Sequence, residues 1–340
     1  MKLHSEKVSY PLKHPFKIAR ADAYQVAEVV RITLTHDNIT GMGEIKPSTY
    51  YGNESVETVM QTLQQAGPLL GNDPFQLEEI LTRLEATFPH APAARAGIDI
   101  ALHDWVGKQT GLPLYRYFGL NPEKTPKTSV TLGIDTIPVM LQKLHEFREY
   151  PILKVKVGVP GDMEIIRAIR DHSDAVIRVD ANTGWSVEEA IERLKELEQF
   201  NIELVEQPIK PGHYEGLRKI RESTSIPIMA DEDVKTSKEL FLLAGCVDSI
   251  NIKLMKCGGL REAGRMIHTA HSLGLKVMLG CMMESSLSLT AAAHLSPLVE
   301  YADLDTHLAL KQDPFEGLKI IDGKIYLPDR PGIGIVWRSH

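Results

Sequence analysis

The sequence is poor in the features that mark several protein classes. Only three cysteines occur in 340 residues, Cys246, Cys257 and Cys281. They cannot all pair and lack metal-finger spacing, which excludes a disulfide scaffold and fits a reducing compartment. No unbroken apolar run exceeds that at 240–244, far below the ~20 residues a membrane helix requires. The opening MKLHSEKVSY has no apolar leader core. Charges of one sign never gather into a run of five or six, and 38 basic against 45 acidic residues leave a net charge of -7. That balance offers no footprint for nucleic acid or an anionic membrane.

What is present has a globular balance. With 43% apolar and 24% charged residues, 25 Gly and 20 Pro, disorder, collagen and coiled coil are excluded. The expectation is a cytoplasmic protein with a small-molecule partner, no nucleic acid, no membrane, and a homo-oligomeric assembly. The length accommodates two domains, or one large barrel with an attachment.

The chain is written in two grammars. Residues 29–45 alternate apolar and polar, turn at His36-Asp37-Asn38 and return, as a strand pair does. Helical signals follow: one after Ser55, one opened by Asp73-Pro74, and an apolar stretch over 93–106 ending near Gly107. From about 128 to 305 eight short apolar runs alternate with helical stretches: VTLGI, ILKVKVG, AVIRVDAN, IELVEQP, IPIMADE, DSINIKLM, LKVMLGC and YADLDT. Ser186 and Glu189 form a capping box before one of these helices. Such alternation implies right-handed parallel crossovers, and eight in series close most economically into a barrel; a doubly wound open sheet is the competing architecture. No helix is expected after the eighth strand, where IIDGKIYLP reads as a hairpin through Asp322-Gly323. The expected fold class is α/β, a modified (β/α)7β TIM-like barrel with an α+β capping domain. Residues 1–122 form the cap, 123–310 the barrel, and 311–340 a tail returning to the cap.

Functional side chains recur at the strand ends, at positions 131, 154/156, 180, 206, 231, 253 and 303/305. From Lys156 the steps are 24, 26, 25 and 22 residues, one βα unit each, which sets the residues side by side on the catalytic rim of a barrel. Alternation along a strand points Lys154 and Lys156 the same way, into the mouth. Asp180, Glu206 and Asp231 come from three successive strands, and oxygen donors without His or Cys suit Mg2+ better than zinc. Lys156 and Lys253 flank that trio in sequence, an arrangement for moving one proton across a metal-bound substrate. The histidines lack ligand spacing and are expected at the surface or behind the site; Cys257 and Cys281 are expected to pack.

The stretches VKVG, VDANTGW, VEQP, ADE and NIKLMKCGG, with AGIDIALHDWVGK in the cap, resemble the enolase superfamily and its muconate-lactonizing subgroup. Asp303-Leu304-Asp305 on the last strand is similar to dipeptide epimerases. The resemblance implies 1,1-proton transfer at the α-carbon of a dipeptide's C-terminal residue, through a metal-stabilised enolate. Lys156 and Lys253 would then be acid and base, Asp180, Glu206 and Asp231 the Mg2+ ligands, and Asp303 and Asp305 the holders of the substrate ammonium. Thr131 and Lys154 would stand near the substrate. Alanyl-glutamate epimerases carry an arginine in the loop near Phe16 and Lys17; Arg20 lies one position out of register, and Tyr50 and Tyr51 equally suit an apolar side chain. Asp233 replaces a serine usual in the family and is not expected to touch the metal. The alternatives are a cycloisomerase or o-succinylbenzoate synthase on the same scaffold, a barrel that binds without turnover, and a Schiff-base aldolase.

Overall fold

A computed structural model describes residues 1–19 and 21–338. The chain opens with an antiparallel sheet of three strands in the order β1-β2-β3: β1 (Lys2–Ile18), β2 (Ala21–His36) and β3 (Ile39–Ile45). Asp37 and Asn38 take positive φ of 46° and 63°, the two-residue turn whose twist matches a hairpin. β1 carries no clean alternation in sequence because it is an edge strand, interrupted by Pro11 and Pro15 and irregular between Pro11 and Phe16. The sheet is two-faced. Val30, Ile32, Leu34 and Ile45 pack into the main core, whereas Ala27 and Val29 join Tyr10, Leu12, Met283 and Leu310 in a separate cluster toward the barrel.

Three helices cover the first face: α1 (Val56–Ala66), α2 (Leu77–Thr87) and α3 (Pro92–Thr110). Ser55 and Thr58 form a capping box on α1. α2 starts later than Asp73-Pro74 suggests, because the Asp73 carboxylate accepts from the Phe75 N–H at 2.9 Å and closes a local turn instead. α3 outruns its expected end at Gly107 and stops at Gly111, whose φ of 70° ends the helix. Gly107 is needed for another reason: a Cβ there would stand 2.6 Å from Gly332 of the returning tail. A short helix, α4 (Leu114–Tyr117), completes the cap.

The barrel strands are β4 (Val130–Leu132), β5 (Ile152–Lys156), β6 (Val176–Asp180), β7 (Ile202–Glu206), β8 (Ile228–Ala230), β9 (Ser249–Ile252), β10 (Lys276–Leu279) and β11 (Tyr301–Ala302). All pair in parallel and in chain order. The edges meet: Thr128 bridges Ala302 in parallel, and the Ser129 N–H donates to the Ala302 carbonyl at 3.1 Å. An open doubly wound sheet is thereby excluded. The crossovers use α5 (Ile137–Glu146), α6 (Asp162–His172), α7 (Val187–Leu197), α8 (Tyr214–Glu222), the single turn α9 (Leu240–Leu243), α10 (Leu254–Cys257) with α11 (Leu260–Ser272), and α12 (Ser286–Ala293). Ser186 and Glu189 cap α7 reciprocally, as the sequence indicates. In the tail, β13 (Lys319–Ile321) and β14 (Lys324–Tyr326) form the hairpin through Asp322-Gly323, and β12 (Phe315–Glu316) pairs with β15 (Val336–Trp337). Among the described residues, no helix is long and apolar enough to cross a membrane.

Buried polar side chains staple cap, barrel and tail together. Asp99 of α3 accepts from the Leu260 and Arg261 N–H groups at 2.8 and 3.2 Å, capping α11 of the barrel. Asp104 holds Met42 N–H at 2.8 Å and Ile333 N–H at 2.8 Å. His294 on α12, fully buried rather than at the surface, accepts from Tyr115 N–H at 3.2 Å through Nδ1 and donates from Nε2 to Ile333 O at 2.9 Å. Both bonds need the neutral imidazole, and burial lowers its pKa to about 4. A histidine depressed in the fold contributes fully above its unfolded value near 6.5 and loses that contribution as pH falls toward 4. Urea midpoints followed from pH 7 to pH 4 should therefore show His294→Gln losing less stability on acidification than the parent, by at most about 3 kcal/mol.

Candidate active site at the barrel mouth

The eight strands deliver one layer of charged side chains to one end of the barrel. Lys156, Asp180 and Glu206 close β5, β6 and β7 and stand directly opposite one another in the pairing register. Asp231, Lys253 and Asp303 follow β8, β9 and β11 by one residue. Beneath this ring Leu204, Met229 and Met278 form a fully buried apolar floor. Lys154 and Lys156 both line the cavity above, as their spacing of two requires.

The charges form interlocking ion pairs. Lys154 Nζ lies 2.7 Å from Asp303 Oδ2, 2.7 Å from Glu206 Oε2 and 3.2 Å from Asp180 Oδ2. The Glu206 contact is an ion pair without hydrogen-bond geometry, since Oε2 has no hydrogen-bond partner. Lys156 Nζ donates to Asp180 Oδ2 at 2.5 Å, and Lys253 Nζ to Asp231 Oδ2 at 2.8 Å. Burial alone would discharge Lys154, but three carboxylates outweigh it and hold its pKa well above the usual lysine value. Burial also opposes the charge on Lys253, and Asp231 reverses that, leaving its pKa raised. Asp180 and Asp231 stay below the usual carboxylate range, against burial, because of Lys156 and Lys154 in one case and Lys253 and Lys256 in the other. Glu206 shifts upward through burial and the neighbouring Asp180.

The last strand splits its two acids. Asp303 accepts from Ser129 Oγ at 2.8 Å and from Lys154, whose charge overcomes burial and keeps the acid below its ordinary value. Asp305 accepts from the Thr131 N–H at 2.6 Å, while among the described residues Oδ1 has no hydrogen-bond partner. Burial and the adjacent Asp303 push it up to about 7. Thr131 is thus placed to hold Asp305 through its backbone. Phe16, Ile18, Tyr50 and Tyr51 of the cap roof the cavity, whose volume is about 230 Å3. Arg20 lies outside the described residues.

Two participants escape a reading by strand ends. Lys256, 2% exposed, donates to Asp231 Oδ1 at 2.5 Å, to Asp231 O at 2.5 Å and to Asn251 O at 2.9 Å. Burial lowers its pKa against the pull of Asp231. It sits in the one-turn helix α10, three residues past Lys253, where only that spacing signals a shared face. Asn251 donates to Glu206 Oε1 at 2.9 Å and shares Lys253's parity on the strand. Asp233 turns away, accepting from Gln207 Nε2 at 2.7 Å and Gly212 N–H at 2.6 Å. Cys281 Sγ donates to Asp303 O at 3.1 Å, and burial raises its pKa.

Among the described residues, no three His, Cys, Asp or Glu side chains stand at metal-holding spacing as they are oriented; each acid of the trio is turned onto an ammonium group. The donor set still fits a hard divalent cation. Asp180, Glu206 and Asp231 are fully buried and offer oxygen alone; Asp231 raises the proton affinity of Asp180, and both raise that of Glu206, the repulsion that a cation relieves.

Residues 2–119 match the pattern of the mandelate racemase / muconate lactonizing enzyme N-terminal domain, and residues 140–340 that of the enolase C-terminal domain-like family. A curated relative, the L-Ala-D/L-Glu epimerase of Bacteroides thetaiotaomicron, is 41% identical, covering 96% of this chain and 85% of its own. The structure of the dipeptide epimerase from Enterococcus faecalis V583, complexed with Mg and L-Leu-L-Tyr, is similar with a TM-score of 0.92 at 34% identity, over 98% of each chain. That of the dipeptide epimerase from Methylococcus capsulatus, with Mg and L-Arg-D-Lys, gives 0.91 at 32% identity over 99% of each. With both segments matched and the relatives aligned almost end to end, the chain belongs to the mandelate racemase / muconate lactonizing enzyme family of the enolase superfamily.

Proposed function

We propose that the protein is a Mg2+-dependent dipeptide epimerase, inverting the α-carbon of the C-terminal residue by 1,1-proton transfer. The observation that carries this reading is the placement of Lys156 and Lys253 on either flank of three buried acids, with three strands between β5 and β9. Relatives acting on dipeptides support it.

Asp180, Glu206 and Asp231 would hold the ion, which when bound supplies charge stabilisation at the substrate carboxylate and competes with the ammonium groups for these acids. Lys156 and Lys253 each carry Nζ into the cavity: one takes the α-proton from one face, and the other returns a proton to the opposite face. Lys154, kept charged by its three carboxylates, is a fixed cation facing the negative charge that develops on the substrate. Asp303 and Asp305 would receive the α-ammonium group, the unpartnered Oδ1 of Asp305 being open to a donor. Phe16, Ile18 and the two tyrosines exclude water above. A muconate or succinylbenzoate precursor carries no ammonium, and would leave the Asp305 oxygen buried without a donor.

Residues 1–122 are read as the cap, 123–310 as the barrel and 311–340 as a tail returning to the cap, supported by the Ile333 bond to Asp104. Three unpaired thiols support a cytoplasmic setting, and exposed Phe241 and Leu242 support self-association.

With a dipeptide substrate in D2O, deuterium should enter the α-carbon of the C-terminal residue, as followed by mass spectrometry. Lys156→Ala and Lys253→Ala should each lower epimerisation by about a thousandfold, and turnover without deuterium entry would contradict the mechanism. A second measurement addresses Asp305. A carboxyl raised to about 7 is neutral below that pH and cannot balance an ammonium group. The profile of kcat/KM should accordingly fall below pH 7 in the parent, while Asp305→Asn should be at least tenfold less active at pH 8 and lack that limb.

A further inference from the structure

A second cavity adjoins the first. It also measures about 230 Å3, shares Phe16, Thr131, Met283, Asp305 and Thr306 with the barrel mouth, and extends to Phe147, Leu308 and Ala309. Asp305 stands in the common wall, 5% exposed, with Oδ2 fixed by Thr131 and Oδ1 unpartnered. At the far rim stand charged groups: His14 Nε2 lies 3.2 Å from Glu146, Lys143 Nζ lies 3.2 Å from Asp135, and Lys13 is exposed to solvent. An apolar interior thus begins at Asp305 and ends at a charged, solvent-facing rim.

We propose that this cavity is the subsite for the side chain of the substrate's N-terminal residue, and that it takes a large apolar group of leucine or phenylalanine size. The inference rests on the dipeptide-epimerase reading, which sets the α-ammonium at Asp303 and Asp305. The N-terminal α-carbon is one bond from that nitrogen, so its side chain departs beside the shared wall. The peptide bond must run toward Lys156 and Lys253, which leaves the second cavity as the direction for the side chain. A volume of this size is wasted on a methyl group, whereas each methylene that enters is worth about fourfold in binding. A charged side chain would gain little, since His14 and Lys143 are already engaged and the Lys13 ammonium is exposed to water.

Dipeptides L-Xaa-L-Glu and L-Xaa-L-Leu, with Xaa glycine, alanine, leucine or phenylalanine, test this by deuterium incorporation. With at least one C-terminal residue, kcat/KM should rise at least tenfold from glycine to leucine. Ala309→Trp, which fills the cavity, should bring that ratio close to one; Leu308→Phe reads the same ratio should the first variant fold poorly. A series flat in the size of Xaa, or a ratio unchanged in the folded variants, would overturn the subsite and leave the epimerase reading standing. No exchange with any member would overturn both.

Discussion

The Lys154 ammonium, enclosed by Asp303, Glu206 and Asp180, is the contact on which the barrel mouth depends. It neutralises acids from strands that are distant in sequence, and its position on β5 is fixed by direct pairing with Arg178 on β6. Around it Lys154, Lys156, Lys253 and Lys256 face Asp180, Glu206, Asp231 and Asp303, with the buried Glu232 beside Lys253 and Lys256. Removing one member of such a buried set leaves an uncompensated charge, which is far costlier than never having built the pair. Asp305 stands outside that set, and its raised proton affinity reflects it.

The cap is joined to this charged layer by directional bonds rather than by apolar contact alone. Glu44, at the end of the cap sheet, is fully buried and accepts from Ser285 N–H at 2.7 Å and Ser285 Oγ at 2.6 Å at the start of α12, and from Tyr10 OH at 2.9 Å. Together with Asp99, which caps α11, and Asp104, which holds the tail, it fixes the sheet that carries the roof of the cavity. The roof residues themselves, Phe16, Ile18, Tyr50 and Tyr51, lie on the connections after β1 and β3 or at their ends. The charged layer is therefore seated at the barrel's strand ends, and the roof above it on connections and strand ends of the cap.

Much of this was readable from the chain because parallel strands buried on both sides leave charged residues no innocent explanation. Lys154 and Lys156 at a spacing of two, and the regular steps to Asp180, Glu206 and Asp231, announce a common rim in the sequence alone. The eight runs and the hairpin at Asp322-Gly323 were equally plain. What stayed hidden depends on contacts distant in sequence. β1 is long but polar, since its partner lies on one side only; α3 is buried all round because sheet and barrel sandwich it, which blurs its period and its end. Lys256 gives no strand signal, since it reaches Asp231 from a turn of helix. His294 resembles any other histidine until Tyr115 and Ile333 arrive from elsewhere in the chain.

The floor of Leu204, Met229 and Met278 carries a further implication. These side chains are fully buried and put an apolar layer below the ring of charges. A hydrogen bound to Lys156 or Lys253 faces apolar side chains below and the cavity under the cap above. How long an isotopic label survives on either amine consequently depends on how freely the cap admits water, a property set far from the strands that carry the two lysines.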